Sequence, residues 1–208
     1  MRDVDVTLTD YALAVELGVL VFLLCRQAAG DPPLQRRFGL FFAGSGLAAL
    51  TGGTVHGFLP DSSPLWTTSL VALGLPALAA WGISARLLAP RSWEIWLWRA
   101  AVVECAAYAV VVLAGVRSFA VAIVNYMPAA VVMAVAFAWR SRAKDAGAAL
   151  WGLGGMLLIF VGAGAQTMRV SLHPRFFDHN ALYHVIDGVA SVFIFVAARG
   201  LVAARRGR

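Results

Sequence analysis

Residues 147–168 read GAALWGLGGMLLIFVGAGAQTM, an apolar run without a charged side chain. A helix needs about 20 mostly apolar residues to cross the hydrocarbon core of a bilayer. Six further runs of similar length and composition are found at residues 8–28, 37–58, 64–88, 93–115, 118–139 and 179–202. Proline, glycine and polar residues separate the runs, as expected of turns. The sequence therefore predicts an all-α membrane protein, a single domain over residues 1–208 with seven transmembrane helices.

The composition of the whole chain agrees with this prediction. Of its 208 residues, 61% are apolar and 13% are charged, against roughly 45–50% and about 25% in soluble domains. A chain of this length cannot bury so much apolar surface in a core of its own, so lipid must be the solvent for most of it. The formal net charge of +6 does not indicate a nucleic-acid partner, because the basic residues are dispersed between the apolar runs.

Basic residues are divided unevenly between the two ends of the predicted bundle. Of the 17 arginine and lysine residues, the alternation of seven helices places four on one side, and the other thirteen face the opposite side. The four are Arg2, Arg117, Arg169 and Arg175. The positive-inside rule assigns the richer side to the cytoplasm. We therefore expect the N-terminus outside and the C-terminus inside. The predominance of arginine over the single lysine, Lys144, together with the heavy use of alanine, glycine, valine and leucine, suggests a GC-rich bacterial genome. We therefore expect a multi-pass protein of a bacterial inner membrane.

This topology gathers polar side chains near the outer end of the bundle. The four histidines that fall there are His56, His173, His179 and His184. In the last run, Asn180, His184, Asp187 and Ser191 follow one another by steps of four, three and four, so they share one helix face. At 1.5 Å per residue, His184 lies roughly 6–9 Å below the outer surface, close to the expected depth of His56. The second and seventh helices could therefore face each other across one polar site.

Ionisable residues inside the runs point to the same region. Glu16, Glu104 and Asp187 would cost several kcal/mol in lipid, so they are expected to face an interior cavity. The candidate substrate-binding residues are Asn180, Glu104, Thr67, Asn125 and Tyr183. A structural role is the alternative for several of these: Glu104 could be a hydrogen-bonded packing residue, and Asn125 and Thr67 could serve only to hold helices together.

Two short segments resemble a known family. The segment NALYHVI at residues 180–186 resembles the HALWHI signature on the seventh helix of the CREST superfamily, which includes alkaline ceramidases and adiponectin-type receptors. The segment GTVHG at residues 53–57 resembles the second-helix segment that ends in that family's metal histidine. The resemblance implies that His56 and His184 bind zinc. Asn180 occupies the position of the family's third histidine, and the adjacent His179 would have to complete the metal site.

The resemblance also implies a reaction. Members of the family are similar in using zinc to activate water, which suits hydrolysis. We therefore expect a zinc-dependent hydrolase that cleaves an amide or ester bond of a membrane lipid at the outer face. Asp187 and Asp178 would orient a ligand or move protons. Thr51 lies beside Gly52, the position of the family's serine, and Thr67 lies near the position of its third-helix aspartate.

Other functions remain open from the sequence. A lipid-binding or sensing protein could keep the scaffold without the third metal ligand, with Arg169 or Arg175 contacting a phosphate. His56 and His184 could also be axial haem ligands. A third alternative is a proton-coupled transporter that uses the membrane carboxylates. For both the hydrolase and the lipid-binding hypothesis, the expected partner is a membrane lipid. A homodimer is also compatible with the sequence. Cys25 and Cys105 lie inside apolar runs and form no metal or redox motif.

Overall fold

The computed structural model describes residues 3–28, 30–142, 146–173 and 176–204. This part of the chain folds into seven helices: α1 (Val4–Arg26), α2 (Pro32–Gly57), α3 (Ser63–Leu88), α4 (Arg91–Leu113), α5 (Phe119–Arg140), α6 (Ala146–Thr167) and α7 (His179–Ala204). Each helix is long and apolar enough to cross a membrane. Apart from one isolated bridge between His173 and Phe177, the described residues contain no β-structure. The all-α, seven-helix prediction is confirmed.

The largest difference from the predicted bounds is at the start of α2. This helix begins at Pro32, five residues before the predicted apolar run. Asp31 precedes it, and the carboxylate of Asp31 accepts a hydrogen bond from the backbone N–H of Leu34 at 3.2 Å. An aspartate cap and a proline in the first turn both favour a helix start. Hydropathy alone misses this turn, because Arg36 and Arg37 interrupt the apolar run.

Several basic residues that carry the orientation argument lie outside the described residues: Arg2, Lys144, Arg175, Arg205, Arg206 and Arg208. The helices alternate in direction, as the prediction requires, so the starts of α1, α3, α5 and α7 share one end of the bundle with the ends of α2, α4 and α6. We call this the outer end, following the charge asymmetry. The orientation itself stays a prediction.

Six of the helices form a closed ring, and the remaining helix, α4, lies outside it. Around the ring, α1 packs on α2, α2 on α3, α3 on α5, α5 on α6, α6 on α7 and α7 on α1. Helix α4 packs mainly against α3, on the side away from the ring interior. Because α4 is separated from the ring interior by α3, the space at the centre of the bundle is bounded by the other six helices.

Two glycines of α2 allow α1 to approach closely. A Cβ atom on Gly53 would lie 2.8 Å from the Cβ of Asp10, and one on Gly57 would lie 2.6 Å from the Cγ2 of Thr7. Both distances are well inside the normal contact distance of about 3.5–4.0 Å between carbon atoms. The GTVHG segment therefore has a packing function. It places the first turns of α1, including Asp10, against the outer half of α2.

At the end of the bundle opposite the outer end, which we call the inner end, a network of four charges joins α2, α3 and α4. Arg86 contacts Asp31 at 3.1 Å and Glu94 at 2.6 Å, and Arg37 contacts Glu94 at 2.9 Å. Asp31 and Glu94 are both buried. Two positive and two negative charges balance, which buried ions require. This network holds the inner end of the bundle together, and its charged groups bond to one another.

Candidate functional site

A cavity of about 680 Å³ occupies the centre of the helix ring and reaches from its outer end. Every ring helix contributes to the lining, and most of the lining residues are apolar. The polar and ionisable ones are Asp10, Ser45, His56, Ser69, Tyr126, Gln166, Thr167, Asn180, Tyr183, His184, Asp187 and Ser191. Phe41, which also lines the cavity, lies about 24 Å from the outer end of α2 when counted along the helix at 1.5 Å per residue. The cavity thus spans most of a hydrocarbon core about 30 Å thick.

The central polar contact of the cavity joins α7 to α1. The Nε2 of His184 lies 3.2 Å from the Oδ1 of Asp10, and its Nδ1 lies 3.1 Å from the Oγ1 of Thr9. Asp10 is only 4% exposed. The glycine contacts between α1 and α2 hold Asp10 in this position. A histidine of the last helix and a carboxylate of the first thus form one unit, although 174 positions separate them in the chain.

The hydrogen bonds assign the protons of this unit. The Thr9 hydroxyl has one proton, and the backbone carbonyls of Asp5 and Val6 accept it at 2.9 and 3.0 Å. While the Thr9 hydroxyl donates to these carbonyls, its oxygen accepts a hydrogen bond from the Nδ1–H of His184. One further proton lies between Nε2 and the Oδ1 of Asp10. Whichever of these two atoms holds that proton, the Oδ2 of Asp10 remains a hydrogen-bond acceptor.

A second carboxylate lies deeper in the cavity. Tyr183 lies close to the carboxylate of Asp187, which stands one helical turn further along α7. Tyr126 of α5 lies close to the same carboxylate. The Oδ1 of Asp187 has no hydrogen-bond partner among the described groups. The predicted polar stripe of α7 therefore lines the cavity through Asn180, His184, Asp187 and Ser191, with Tyr183 beside it.

His56 lies at the outer mouth of the same cavity. It belongs to the last turn of α2, its Nδ1 is 4.0 Å from the Oδ2 of Asp3, and its ring meets the ring of Trp66 edge to face at 6.3 Å. The predicted juxtaposition of the second and seventh helices thus holds to this extent: His56 and His184 line one cavity. They do so with different partners.

Three predicted site residues have local partners that give them structural roles. Asp178 caps α7, because its Oδ1 accepts hydrogen bonds from the backbone N–H groups of Asn180 and Ala181 at 2.8 and 2.9 Å. The Thr51 hydroxyl donates to the carbonyl of Leu47 in its own helix, at 2.8 Å. The Thr67 hydroxyl donates in the same way to Ser63. None of the three is among the described residues that line the cavity.

Glu16, which was expected to face the cavity, does not line it. The other predicted residues outside the lining are His179, Glu104 and Asn125. His179 lies beside the cap, with its Nδ1 3.9 Å from the Oδ2 of Asp178. Glu104 belongs to α4, which lies outside the ring. The Oε2 of Glu104 and the Nδ2 of Asn125 are buried without a hydrogen-bond partner among the described groups. The structure therefore does not bring these three side chains to the cavity.

The described residues do not fit a catalytic zinc ion in this arrangement. Such an ion takes three protein ligands and keeps a position for water. The described part of the chain contains no group of three or more histidine, cysteine, aspartate and glutamate side chains placed to hold a metal. Both ring nitrogens of His184 already have partners, and His179 does not line the cavity. Zinc binding stays a prediction that the geometry does not support.

The sequence analysis missed Asp10, which the structure places at the centre of the site. A signal was present in the chain. Val6, Asp10, Leu13 and Leu17 follow one another by steps of four, three and four, and all four are buried. Asp10 is thus the one acidic position in the stripe of α1 that faces the bundle. The prediction overlooked it because the residue stands near the start of an apolar run, where acidic side chains are usually solvated.

Comparison with known proteins places the chain in one family. Neither the curated proteins nor the solved structures gave a match. A family model matches residues 6–203, which include nearly all of the seven-helix bundle. The match gives no link to the CREST superfamily, so that resemblance stays a prediction. On the strength of this coverage, the chain belongs to the family described as a family of unknown function, DUF6962.

Proposed function

We propose that this protein is a multi-pass protein of a bacterial inner membrane that binds a membrane lipid, or another single-chain amphiphile, in the cavity of its helix ring. The observation that carries the proposal is the cavity itself. Its volume of about 680 Å³ falls within the range of about 300–1,000 Å³ found for small-molecule sites. Such sites combine mostly apolar walls with a few converging polar groups, and this combination is present here.

The distribution of the lining suggests how an amphiphile would be oriented. Asp10, His56 and His184 lie in the outer part of the cavity, and Leu17 and Phe41 lie at greater depth. A polar head group would lie among the first set, at the level of the outer leaflet. Its hydrocarbon chain would follow the apolar walls toward the cytoplasmic side. Burial of that chain would stabilise the complex by roughly 0.8 kcal/mol per methylene group.

The zinc-dependent lipid hydrolase is the second candidate. One observation favours it: His56 and His184, the two ligands that the resemblance implies, line the same cavity. The described residues offer no third ligand near them. Ligand binding needs only the groups that the cavity already presents, so it is the better supported function. The same site could later release, sense or transfer its ligand.

The binding proposal is tested by filling the cavity. Gly164 of α6 lines it, and a Cβ atom placed on Gly164 meets no atom within 4 Å. Gly164→Phe should therefore occupy part of the cavity without disturbing the packing. Gly18→Phe is the matched control, because Gly18 is exposed on the lipid side of α1 and is equally open. The measurement is native mass spectrometry of protein released from an uncharged detergent.

We expect wild-type protein and Gly18→Phe to retain one co-purified amphiphile per chain. Gly164→Phe should lose it while keeping the same thermal unfolding temperature. Equal retention by all three proteins would contradict the proposal, since the amphiphile would then lie on the outer surface. Absence of any retained amphiphile from the wild type, even after incubation with dodecanol, would also refute it.

A further inference from the structure

We infer that the cavity selects amphiphiles whose head group is a protonated amine, held between Asp10 and Asp187. This inference rests on the proposed function and specifies its ligand. The first observation is the Oδ2 of Asp10. It belongs to a side chain that is more than nine-tenths buried, and it has no hydrogen-bond partner among the described groups.

This oxygen lies next to Gly52 in the wall of the cavity. It lies 3.7 Å from the point where a Cβ atom of Gly52 would stand, and both residues line the cavity. Oδ2 remains an acceptor whether Nε2 of His184 or Oδ1 of Asp10 holds the shared proton. A buried acceptor without a partner is destabilising. A ligand head group that satisfies this oxygen would therefore carry an N–H or O–H donor.

The second observation is the charge of the lining. Asp10 and Asp187 line the cavity, and none of the described lining residues is an arginine or a lysine. Arg169, the residue that sequence reasoning connected with a phosphate, does not line it, and Arg175 lies outside the described residues. The Asp10–His184 pair is neutral overall whichever atom holds the shared proton, and no arginine or lysine among the described lining residues faces Asp187. A phosphate or carboxylate would therefore meet acceptor oxygens at both carboxyl groups, whereas a cationic donor would be attracted by Asp187 and could donate to the Oδ2 of Asp10.

The third observation concerns aromatic side chains. Trp66, Tyr126 and Tyr183 all line the cavity, and an ammonium group over such a ring is attracted by its negative face. Tyr183 lies within electrostatic range of both Asp10 and Asp187. Counted along their helices, the two carboxyl groups lie about 9 and 12 Å from the outer ends of α1 and α7. A head group at this depth would therefore lie level with both carboxyl groups.

The test compares three probes with the same chain: dodecylamine, dodecanol and dodecanoate. An alkylamine resembles the lysine side chain, with a pKa of about 10.4, so it is cationic at neutral pH. Binding to purified protein in an uncharged detergent is measured by titration. We expect dodecylamine to bind at least tenfold more tightly than dodecanol, which corresponds to about 1.4 kcal/mol. Dodecanoate should bind more weakly than either.

Two variants examine the carboxyl groups, and a third is the control. Asp10→Asn and Asp187→Asn should each reduce the preference for the amine by about tenfold while leaving dodecanol binding nearly unchanged. Retained dodecanol binding shows that the variant is folded. Asp187→Asn keeps the contact between His184 and Asp10, so it remains informative if Asp10→Asn does not fold. Asp61→Asn removes an exposed carboxyl group of the outer loop between α2 and α3 and should change nothing.

The outcomes separate this inference from the proposed function. Equal binding of amine and alcohol, tighter binding of dodecanoate, or an unchanged preference in Asp187→Asn would overturn the amine selectivity. Dodecanol binding that Gly164→Phe abolishes would still support a lipid cavity in each of those cases. If none of the three probes binds, both the inference and the proposed function are wrong.

Discussion

The contact between α1 and α2 can be tested at Gly57. In Gly57→Ala, the new methyl group would lie 2.6 Å from the Cγ2 and 2.8 Å from the Oγ1 of Thr7. Normal carbon–carbon contact is about 3.5–4.0 Å, so the two atoms overlap by about 1 Å. Thr7 cannot yield easily, because it is fully buried and its hydroxyl donates to the carbonyl of Asp3 at 2.6 Å. The helices must therefore separate.

Overpacking of this kind costs about 1–3 kcal/mol. For a chain of about 200 residues, each kcal/mol lowers the unfolding temperature by about 2–4 °C. We therefore expect Gly57→Ala to unfold about 2–12 °C below the wild type, measured by tryptophan fluorescence during heating in detergent. Gly18→Ala is the control, because a Cβ on Gly18 meets no atom within 4 Å, and it should not lower the unfolding temperature.

A second substitution identifies the clash. Thr7→Ala removes the two nearest atoms and leaves only its Cβ, 3.3 Å from the new methyl group. Gly57→Ala combined with Thr7→Ala should therefore be more stable than the sum of the two single changes predicts, by at least about 1 kcal/mol. If Gly57→Ala unfolds at the wild-type temperature, or if the two changes are strictly additive, the close approach of α1 to Gly57 does not exist in the folded protein.

Two further predictions concern topology and metal content. A membrane-impermeant maleimide should label Asp61→Cys in intact cells and Arg91→Cys only after permeabilisation; Cys25 and Cys105 lie in helices, so unmodified protein gives the background. The opposite labelling pattern would reverse the orientation. Purified protein should contain far less than one zinc ion per chain by elemental analysis, because the described residues offer no third ligand. Stoichiometric zinc that His184→Ala removes would instead support the hydrolase.

The positions of the seven helices could be predicted from the sequence because transfer into lipid is close to a sum over consecutive residues. The start of α2 differed most, since a cap at Asp31 and two prolines determined it. The polar face of α7 was also predictable, because the helical repeat fixes which residues of one helix share a side. His184 and Asp187 were therefore found from their spacing, and both line the cavity.

The relation between helices was not available from the sequence in the same way. Hydropathy is equally compatible with α4 inside or outside the ring, so it could not show that Glu104 is excluded from the cavity. Likewise, spacing on α7 could not show that His184 meets Asp10 of α1.

That contact depends on how closely two helices approach and how each is rotated about its axis. In a membrane these properties are set by small residues and side-chain packing, because lipid and apolar side chains are nearly equivalent as surroundings. The sequence by itself therefore determined seven spans and the polar faces along them. Only the tertiary structure, through the fit of Gly53 and Gly57 against α1, decided which of those polar groups share a cavity.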